Sequence, residues 1–461
     1  QPHINTMDKK TEKGTPDVSR RQFVQGAAAT AGLSTLSFVN HAKAAPAGGS
    51  DAIKVCLIGC GGRGSGAVDQ ILSAPKDLKK DKKIDCETRL VAVADAFPDS
   101  SKFRNRLKSL KGRHGDKFQV TEDNIFGGLD GYKAAIDESK ADLVVIATPP
   151  GFKPQQFEYA INKGKDVFME KPVASDAAGV RRVLASAKVA KENSQMVGIG
   201  LQRRHEERYI DCVKKLQDGI IGDINLLRVY WNGGGIWYRD REPNMTEMQF
   251  QVNNWYHFIW ASGDQICEQH IHNLDVGCWV KGMYPVEANG MGGREQRMGG
   301  DRSKSQIFDH TFVEYTFPDG TKMYSQGRHL KNSFTQVGEY AHGSKGTCKI
   351  GSHIEPFKGD PIRIRGAGGG HYQEQKDLVE HLYKGKIYNE AEYGAMSTFT
   401  AILGREACYS GKLLKWDDLL KKGSDLCPGI DDYKFDTPPP VIPDANGLYP
   451  VPVPGRHNPF A

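Results

Sequence analysis

The chain has 461 residues, 38% of them hydrophobic and 26% charged, and a net charge of +6. That length exceeds one ordinary core and points to two or three domains. No stretch reaches the roughly 18 successive apolar residues that a spanning helix needs, and no Lys/Arg-rich face with interleaved aromatics marks a nucleic-acid binder. The nine cysteines are odd in number and show no C-x-x-C pair or zinc spacing, so buried free thiols are expected, with no disulfide framework and no metal site.

Near the N-terminus, Ser19-Arg20-Arg21-Gln22-Phe23-Val24 precedes a mildly apolar run, Val24 to Val39, and then Ala42-Lys43-Ala44. The order of basic pair, weak apolar run and small-x-small site resembles a twin-arginine export signal. Residues 1–44 are therefore expected to be a signal peptide, and the mature protein to be periplasmic.

The mature chain opens on Lys54 to Ile58, an apolar run of buried-strand type. Gly59-Cys60-Gly61-Gly62-Arg63-Gly64 follows, and then a helical pattern from Ser65 to Leu72. In that G-x-G-x-x-G, Gly59 permits a tight turn, Gly61 lets backbone approach a pyrophosphate, and Gly64 lets helix pack on strand. The helix N-terminus offers free N–H groups to phosphate. A structural glycine turn gives the same string, but the strand–loop–helix context selects the nucleotide reading. A second strand, Arg89 to Asp95, ends in a carboxylate placed to accept ribose hydroxyls, which favours NAD over NADP. The charged stretch from Lys76 to Glu87 separates the two strands and reads as a solvated loop.

A third strand, Asp142 to Thr148, runs into Pro149-Pro150, and Pro154 starts a helix that Gly164 ends. Asp166 to Met169 is a further strand, ending at Glu170-Lys171-Pro172. This alternation is that of a doubly wound parallel sheet, whose ligands sit at the carboxyl ends of its strands. Gly59, Asp95, Thr148 and Lys171 all fall at such ends. After a helix from Ser175 to Glu192 the texture becomes strand-rich, with Ile224 to Trp231, Thr311 to Phe317, Lys322 to Gln326 and Cys348 to Ile350, and reads as a mostly antiparallel sheet. One helix, Gln265 to Val276, interrupts it. Its spacing places Glu268, His272 and Asp275 in a row beside the apolar stripe Cys267, Ile271, Leu274 and Cys278. A carboxylate one turn from an imidazole can orient it. The same row suits a metal or a solvated face, although E-x-x-x-H lacks a third close ligand.

Taken together, Gly59 to Gly64, Ala147-Thr148-Pro149-Pro150, Glu170-Lys171-Pro172, Glu268-x-x-x-His272-x-x-Asp275 and the stretch from Tyr393 to Asp417 resemble the Gfo/Idh/MocA oxidoreductases over about residues 53–420. The resemblance implies an N-terminal Rossmann domain (51–173) and a C-terminal α+β domain with a large, mostly antiparallel open sheet (174–427). A Pro-rich extended tail (428–461) would follow. It implies an NAD-dependent oxidoreductase acting on a secondary alcohol of a sugar, polyol or sugar derivative, and sheet-mediated homodimers or homotetramers; the lack of a long apolar run adds the expectation of no membrane span in the mature form. Lys171, His272 and Glu268 are the implied catalytic residues. Gly59, Gly61, Gly62, Arg63, Gly64, Asp95, Thr148, Pro149, Glu170, Lys171 and Gln202 are the implied cofactor residues. Lys171, Asp275, His272 and Arg203 are the implied substrate residues. The family's pair usually begins with aspartate, where this chain has Glu268. Two other activities suit the same residues: a redox-neutral glycoside hydrolase using bound NAD, and a non-catalytic NAD-binding protein.

Overall fold

In the computed structural model, which describes residues 52–297 and 304–461, the first apolar run forms β1 (Ile53–Ile58), buried at five of its six positions. Strands β2 (Thr88–Asp95), β3 (Ile125–Gly127), β4 (Leu143–Ile146), β5 (Asp166–Met169) and β6 (Val197–Ile199) join it in a six-stranded sheet of order β3-β2-β1-β4-β5-β6, every pairing parallel. Strands β4, β5 and β6 are buried throughout, as a sheet covered on both faces requires. The covers are α1 (Gly62–Lys82), α2 (Ser101–His114), α3 (Gly131–Glu138), α4 (Lys153–Asn162) and α5 (Ala177–Glu192). The winding reverses between β1 and β4, which opens a crevice at their carboxyl ends. The parallel sheet runs past the boundary expected at 173, because β6 belongs to it: the Gly200 amide donates to Met169 O at 3.0 Å.

The stretch from Lys76 to Glu87 is mostly not a loop. Helix α1 continues through Pro75 to Lys82. Proline has no N–H to give the carbonyl four residues back, that of Ile71. The buried hydroxyl of Thr88, at the start of β2, donates to Ile71 O at 3.1 Å instead. Leu78, Ile84 and Cys86 then anchor the extension in the core.

The second half forms a nine-stranded sheet of order β14-β13-β12-β11-β7-β10-β9-β8-β15. Its strands are β7 (Ile224–Gly233), β8 (Glu287–Gly293), β9 (His310–Thr316), β10 (Lys322–His329), β11 (Gln336–Gly343), β12 (Gly346–Lys349), β13 (His353–Pro356), β14 (Ile362–Arg363) and β15 (Leu414–Lys415). All pairings are antiparallel except β7 with β10. One face packs on α6 (Glu207–Gln217), α9 (Gln265–Glu268), α10 (Ile271–Lys281) and the buried α12 (Ala391–Ser410), while α13 (Trp416–Lys422) follows β15; the short α7 (Glu247–Asn253) and α8 (Ile259–Ser262) gather in a separate cluster with Phe152 and Tyr433. Helix α11 (Gly370–Lys384) crosses back to pack against α1 of the first sheet.

The expected helix from Gln265 to Val276 is two helices. The Gln265 carbonyl accepts both the Gln269 amide (2.9 Å) and the His270 amide (3.1 Å), which widens the turn and ends α9. The buried His270 ring meets Ser325 Oγ of β10 at 2.7 Å, and Asn273 donates to Glu339 of β11. Sheet contacts thus dictate the break.

The proline-rich tail lies over its own chain. Tyr433 and Tyr449 join a cluster with Phe258 and Trp260, Asp431 pairs with Arg182, and His457 Nε2 meets Glu406 Oε2 at 2.6 Å. Among the described residues no helix is long and apolar enough to cross a membrane. The export-signal reading of residues 1–44 lies outside the described residues.

Replacing Thr88 by valine strands the buried Ile71 carbonyl. The expected loss is about 1–3 kcal/mol in denaturant unfolding. Adding Pro75→Ala returns an amide donor, so the double variant should recover part of that loss.

Candidate active site

Gly59 follows β1 with φ of +88°, and a Cβ there would stand 2.8 Å from Ala147 C at the end of β4. A Cβ on Gly64 would meet Gly59 O at 2.1 Å. These two glycines let β1, β4 and α1 close on one another. Gly61 differs, since nothing lies within 4 Å of its Cβ position. It is the N-cap of α1, with no side-chain cap and no acidic residue in the first turn. An uncapped helix N-terminus facing open space is built for an anion. Gly62 has only Arg106 Nη2 near, at 3.9 Å. Asp95 stands beside the loop, accepting from the Cys60 amide at 2.8 Å and the Phe97 amide at 2.9 Å, which fixes its carboxylate at the end of β2. Thr148 Oγ1 donates to Gln156 Oε1 at 2.5 Å, and Thr148, Pro149, Asp95 and Val252 line one cleft. The residues present therefore fit a dinucleotide: open backbone for the pyrophosphate and a fixed carboxylate for the ribose.

The end of β5 is held from below. Lys153, buried at the start of α4, donates to the carbonyls of Glu170 (2.7 Å), Lys171 (3.3 Å) and Pro172 (2.9 Å). Burial pushes its amine down to about 7. The Lys171–Pro172 bond is cis. Arg63 of the glycine loop reaches across to Glu170, its Nε and Nη2 both donating to Oε1, at 3.1 and 2.7 Å. Burial opposes ionisation of Glu170, but Arg63 and Lys171 outweigh it and hold the carboxyl low. Glu170 Oε2 is buried without a partner.

Lys171 Nζ donates to Glu268 O at 2.5 Å and Oε1 at 3.1 Å. The helix break turns Glu268 toward Lys171, so the carboxylate holds the lysine rather than the imidazole expected one turn on. His272 is 7% exposed and lies over Trp231, ring centroids 6.0 Å apart and planes 26° off parallel. Burial first, then the charges of Lys171 and Arg203, keep the ring far below its ordinary pKa, so it is neutral. Its Nδ1 is buried with no partner.

Asp275 does not join this group. Three residues beyond His272 on α10, it takes Arg204 in a two-pronged pair at 2.8–3.1 Å and the Ser397 hydroxyl at 2.7 Å. With its charge met and its oxygens filled, it locks α10 to α12 rather than facing a substrate. Arg203 pairs with Glu339 and packs over Tyr209. Gln202 Oε1 is buried without a partner just beyond β6. Among the described residues no group of three His, Cys, Asp or Glu could hold a metal.

Three site residues escaped sequence reasoning. Lys153 carries no signal, because a lysine opening a helix just before Pro154 reads as solvated. His371 and Glu374 open α11, a helix that only the fold brings to the glycine loop. Glu374 is 1% exposed, neither oxygen accepts a hydrogen bond although His371 Nδ1 lies 3.5 Å from Oε1, and burial together with Glu170 drives its carboxyl well up. Of the aromatics ahead of α10, Trp260 is core and Trp231 alone backs the imidazole.

Residues 53–200 match the Gfo/Idh/MocA family, described as "Oxidoreductase family, NAD-binding Rossmann fold". An inositol 2-dehydrogenase from Rhizobium meliloti (strain 1021) is 28% identical over 200 residues, which is 43% of this chain and 49% of that protein. The chain thus spans about half the length of that curated relative. Among solved structures, the scyllo-inositol dehydrogenase of Lactobacillus casei with bound NAD(H) and scyllo-inositol superposes with a TM-score of 0.57 at 20% identity, covering 80% of this chain and all of that one. The aldose-aldose oxidoreductase of Caulobacter crescentus gives 0.59 at 19% identity, covering 79% of this chain and all of that one. At these identities the likeness establishes a shared two-domain fold.

His205 supplies a pH test of the wall that carries Gln202. Its Nδ1 meets Asp377 at 2.8 Å and its Nε2 meets Glu390 at 3.3 Å. Burial works against its charge, but the two carboxylates prevail and push its pKa up to about 10. A pKa raised on folding gives stability that is whole below the unfolded value near 6.5 and is lost as pH rises through 10. His205→Gln should therefore cost about 3 kcal/mol at pH 6 and progressively less toward pH 10, read by denaturant unfolding of both proteins across that range.

Proposed function

We propose, on the premise that residues 53–200 belong to the Gfo/Idh/MocA family as its NAD-binding domain, that the chain is an NAD-dependent oxidoreductase acting on a secondary alcohol of a cyclic polyol or sugar. The observation that carries this reading is a neutral, unpartnered imidazole, His272, in the field of the Lys171 ammonium beside the carboxyl ends of a nucleotide-binding sheet. Bound NAD would supply the hydride acceptor at its nicotinamide.

The chain's own residues do the rest. Lys171 Nζ, held by Glu268, faces the substrate oxygen and stabilises the charge it gains when its proton leaves. His272 takes that proton. Its Nδ1 is sealed, which leaves Nε2 for the substrate hydroxyl, and the unprotonated ring has the free lone pair that a base needs, while the burial and cations that keep it neutral lower its basicity. Trp231 behind the ring fixes its plane. The Arg63–Glu170 pair ties the glycine loop to the Lys171 turn, so the cofactor and the substrate cation are positioned by one unit. Inositol 2-dehydrogenases among the curated relatives support a polyol substrate.

The enzyme acts after export, with the cofactor retained. Phe435 of the tail stacks on Phe97 at 5.2 Å, two residues beyond Asp95, and Val252 of α7 lines the cleft beside Asp95 and Thr148. These segments cover the adenosine end of the crevice. A chain exported in folded form would carry its cofactor with it, and with no outside supply it would return that cofactor to its starting state in each cycle. The copies pair through the open face of the nine-stranded sheet, where Tyr230 meets Tyr340, Phe312 meets Tyr324, and Met291 is 70% exposed.

Lys171→Ala should keep NAD binding and lower kcat about 100-fold or more, the effect of losing an electrostatic stabiliser. Turnover of cyclic polyols followed by nicotinamide absorbance checks this, and wild-type rates in the variant would reject the site. Retention has its own check. Protein purified without added nucleotide, then denatured, should release close to one NAD per chain, which corresponds to a Kd near nanomolar and about −12 kcal/mol of binding. Nucleotide-free protein binding NAD only at micromolar levels would contradict it.

A further inference from the structure

All nine cysteines are free and buried, and most of those with a polar contact bond a carbonyl or hydroxyl. Cys56 faces Ala135 O, Cys278 faces Thr400, and Cys408 faces Met291 O and Phe312 O. Two break the pattern. Cys212 on α6 and Cys348 on β12, 136 residues apart, have their sulfurs 3.5 Å from one another. We propose that Cys212 and Cys348 are a redox-active pair, which a small two-electron oxidant of the peroxide class closes into a disulfide stapling α6 to β12.

The geometry is near that of the product. A disulfide needs sulfurs about 2.05 Å apart, so the pair must close by roughly 1.5 Å. That is a small movement for two side chains whose sulfurs are already in contact. The two thiols are also unlike. They share one S–H···S contact, either sulfur able to donate, and the Gly351 amide reaches Cys212 alone, so Cys212 is the one held low and Cys348 the one pushed up. The other seven are all pushed up by burial. Thiolate, not thiol, is the nucleophile, so Cys212 is the sulfur poised to react. Both sulfurs are buried, which excludes bulky oxidants and restricts the reagent to a small one such as peroxide.

The step balances. Cys212 sulfur attacks one peroxide oxygen, the O–O bond breaks, and a sulfenic acid and one water result. Cys348 sulfur then attacks the Cys212 sulfur, the S–O bond breaks, and the hydroxide leaves with the Cys348 proton as a second water. Two thiols are oxidised, one peroxide is reduced, and two waters form. The staple would brace the site. One turn before Cys212, Tyr209 donates to Glu339, which also holds Arg203 and Asn273. A chain sent to an oxidising compartment meets such oxidants after it has folded.

The test uses the folded full chain without any activity assay. After brief exposure to equimolar hydrogen peroxide and denaturation, free thiols should fall from nine to seven, and peptide mapping should recover the peptides of Cys212 and Cys348 joined. Dithiothreitol should restore nine. The oxidised chain should unfold at a Tm roughly 5 °C or more above the reduced one. Cys212→Ser should yield no disulfide-linked peptide, and Cys348→Ala serves as the control if the first variant does not fold. Nine thiols surviving treatment, a crosslink between other cysteines, or an unchanged Tm would overturn the proposal.

Discussion

A buried lysine under a turn of backbone is the interaction on which the site depends. Lys153 lies beneath the end of β5 and donates to three successive carbonyls, those of Glu170, Lys171 and Pro172. Carbonyls at the end of a strand have no ladder partner, and buried without one each would carry a desolvation penalty. One lysine satisfies all three and in doing so fixes the direction in which the Lys171 side chain leaves. Around it the charges alternate: Arg63 on Glu170, Lys171 on Glu268. Each buried carboxylate has a cation, and each cation stands where the next element needs one. Two of the four came from the glycine loop and α9, so the cluster also sets how the two sheets meet.

Desolvation then sorts the histidines. His272, His270 and His329 are all driven down by burial, and none has a carboxylate close enough to reverse it. For His270, with Ser325 as partner, the outcome is a core residue. For His272, backed by Trp231 and beside two cations, it is a neutral ring whose Nδ1 has no hydrogen-bond partner. His205 is buried as well, yet the two carboxylates against it hold it charged. The same residue type thus ends as core packing, as a neutral ring beside cations and as a structural cation, and the neighbours alone decide which.

The nucleotide half was legible in the sequence because its chemistry is local. Glycine at Gly59 and Gly64 is demanded by backbone geometry within a few residues, and Asp95 and Lys171 sit at strand ends that hydrophobic runs announce. The Lys76 to Glu87 stretch was not legible. Charge and a proline argue for a loop, and the hydroxyl that satisfies the missing bond belongs to Thr88, beyond the turn. Nor was the split between α9 and α10, since His270 leaves the helical path to meet a serine on β10.

By itself the sequence determined the parallel sheet, its glycine loop, the strand-end polar residues and the presence of a lysine and a histidine suited to alcohol chemistry. These follow from periodicity and from short-range steric demands, which act between neighbours in the chain. Only the tertiary structure decided the partners: Glu268 turned to Lys171 instead of His272, Asp275 spent on Arg204, Lys153 buried, Cys212 set against Cys348. Each of those pairings spans about 70 residues or more except Lys153 with its turn, and ion pairing and burial depend on distance in space, which the order of residues does not encode.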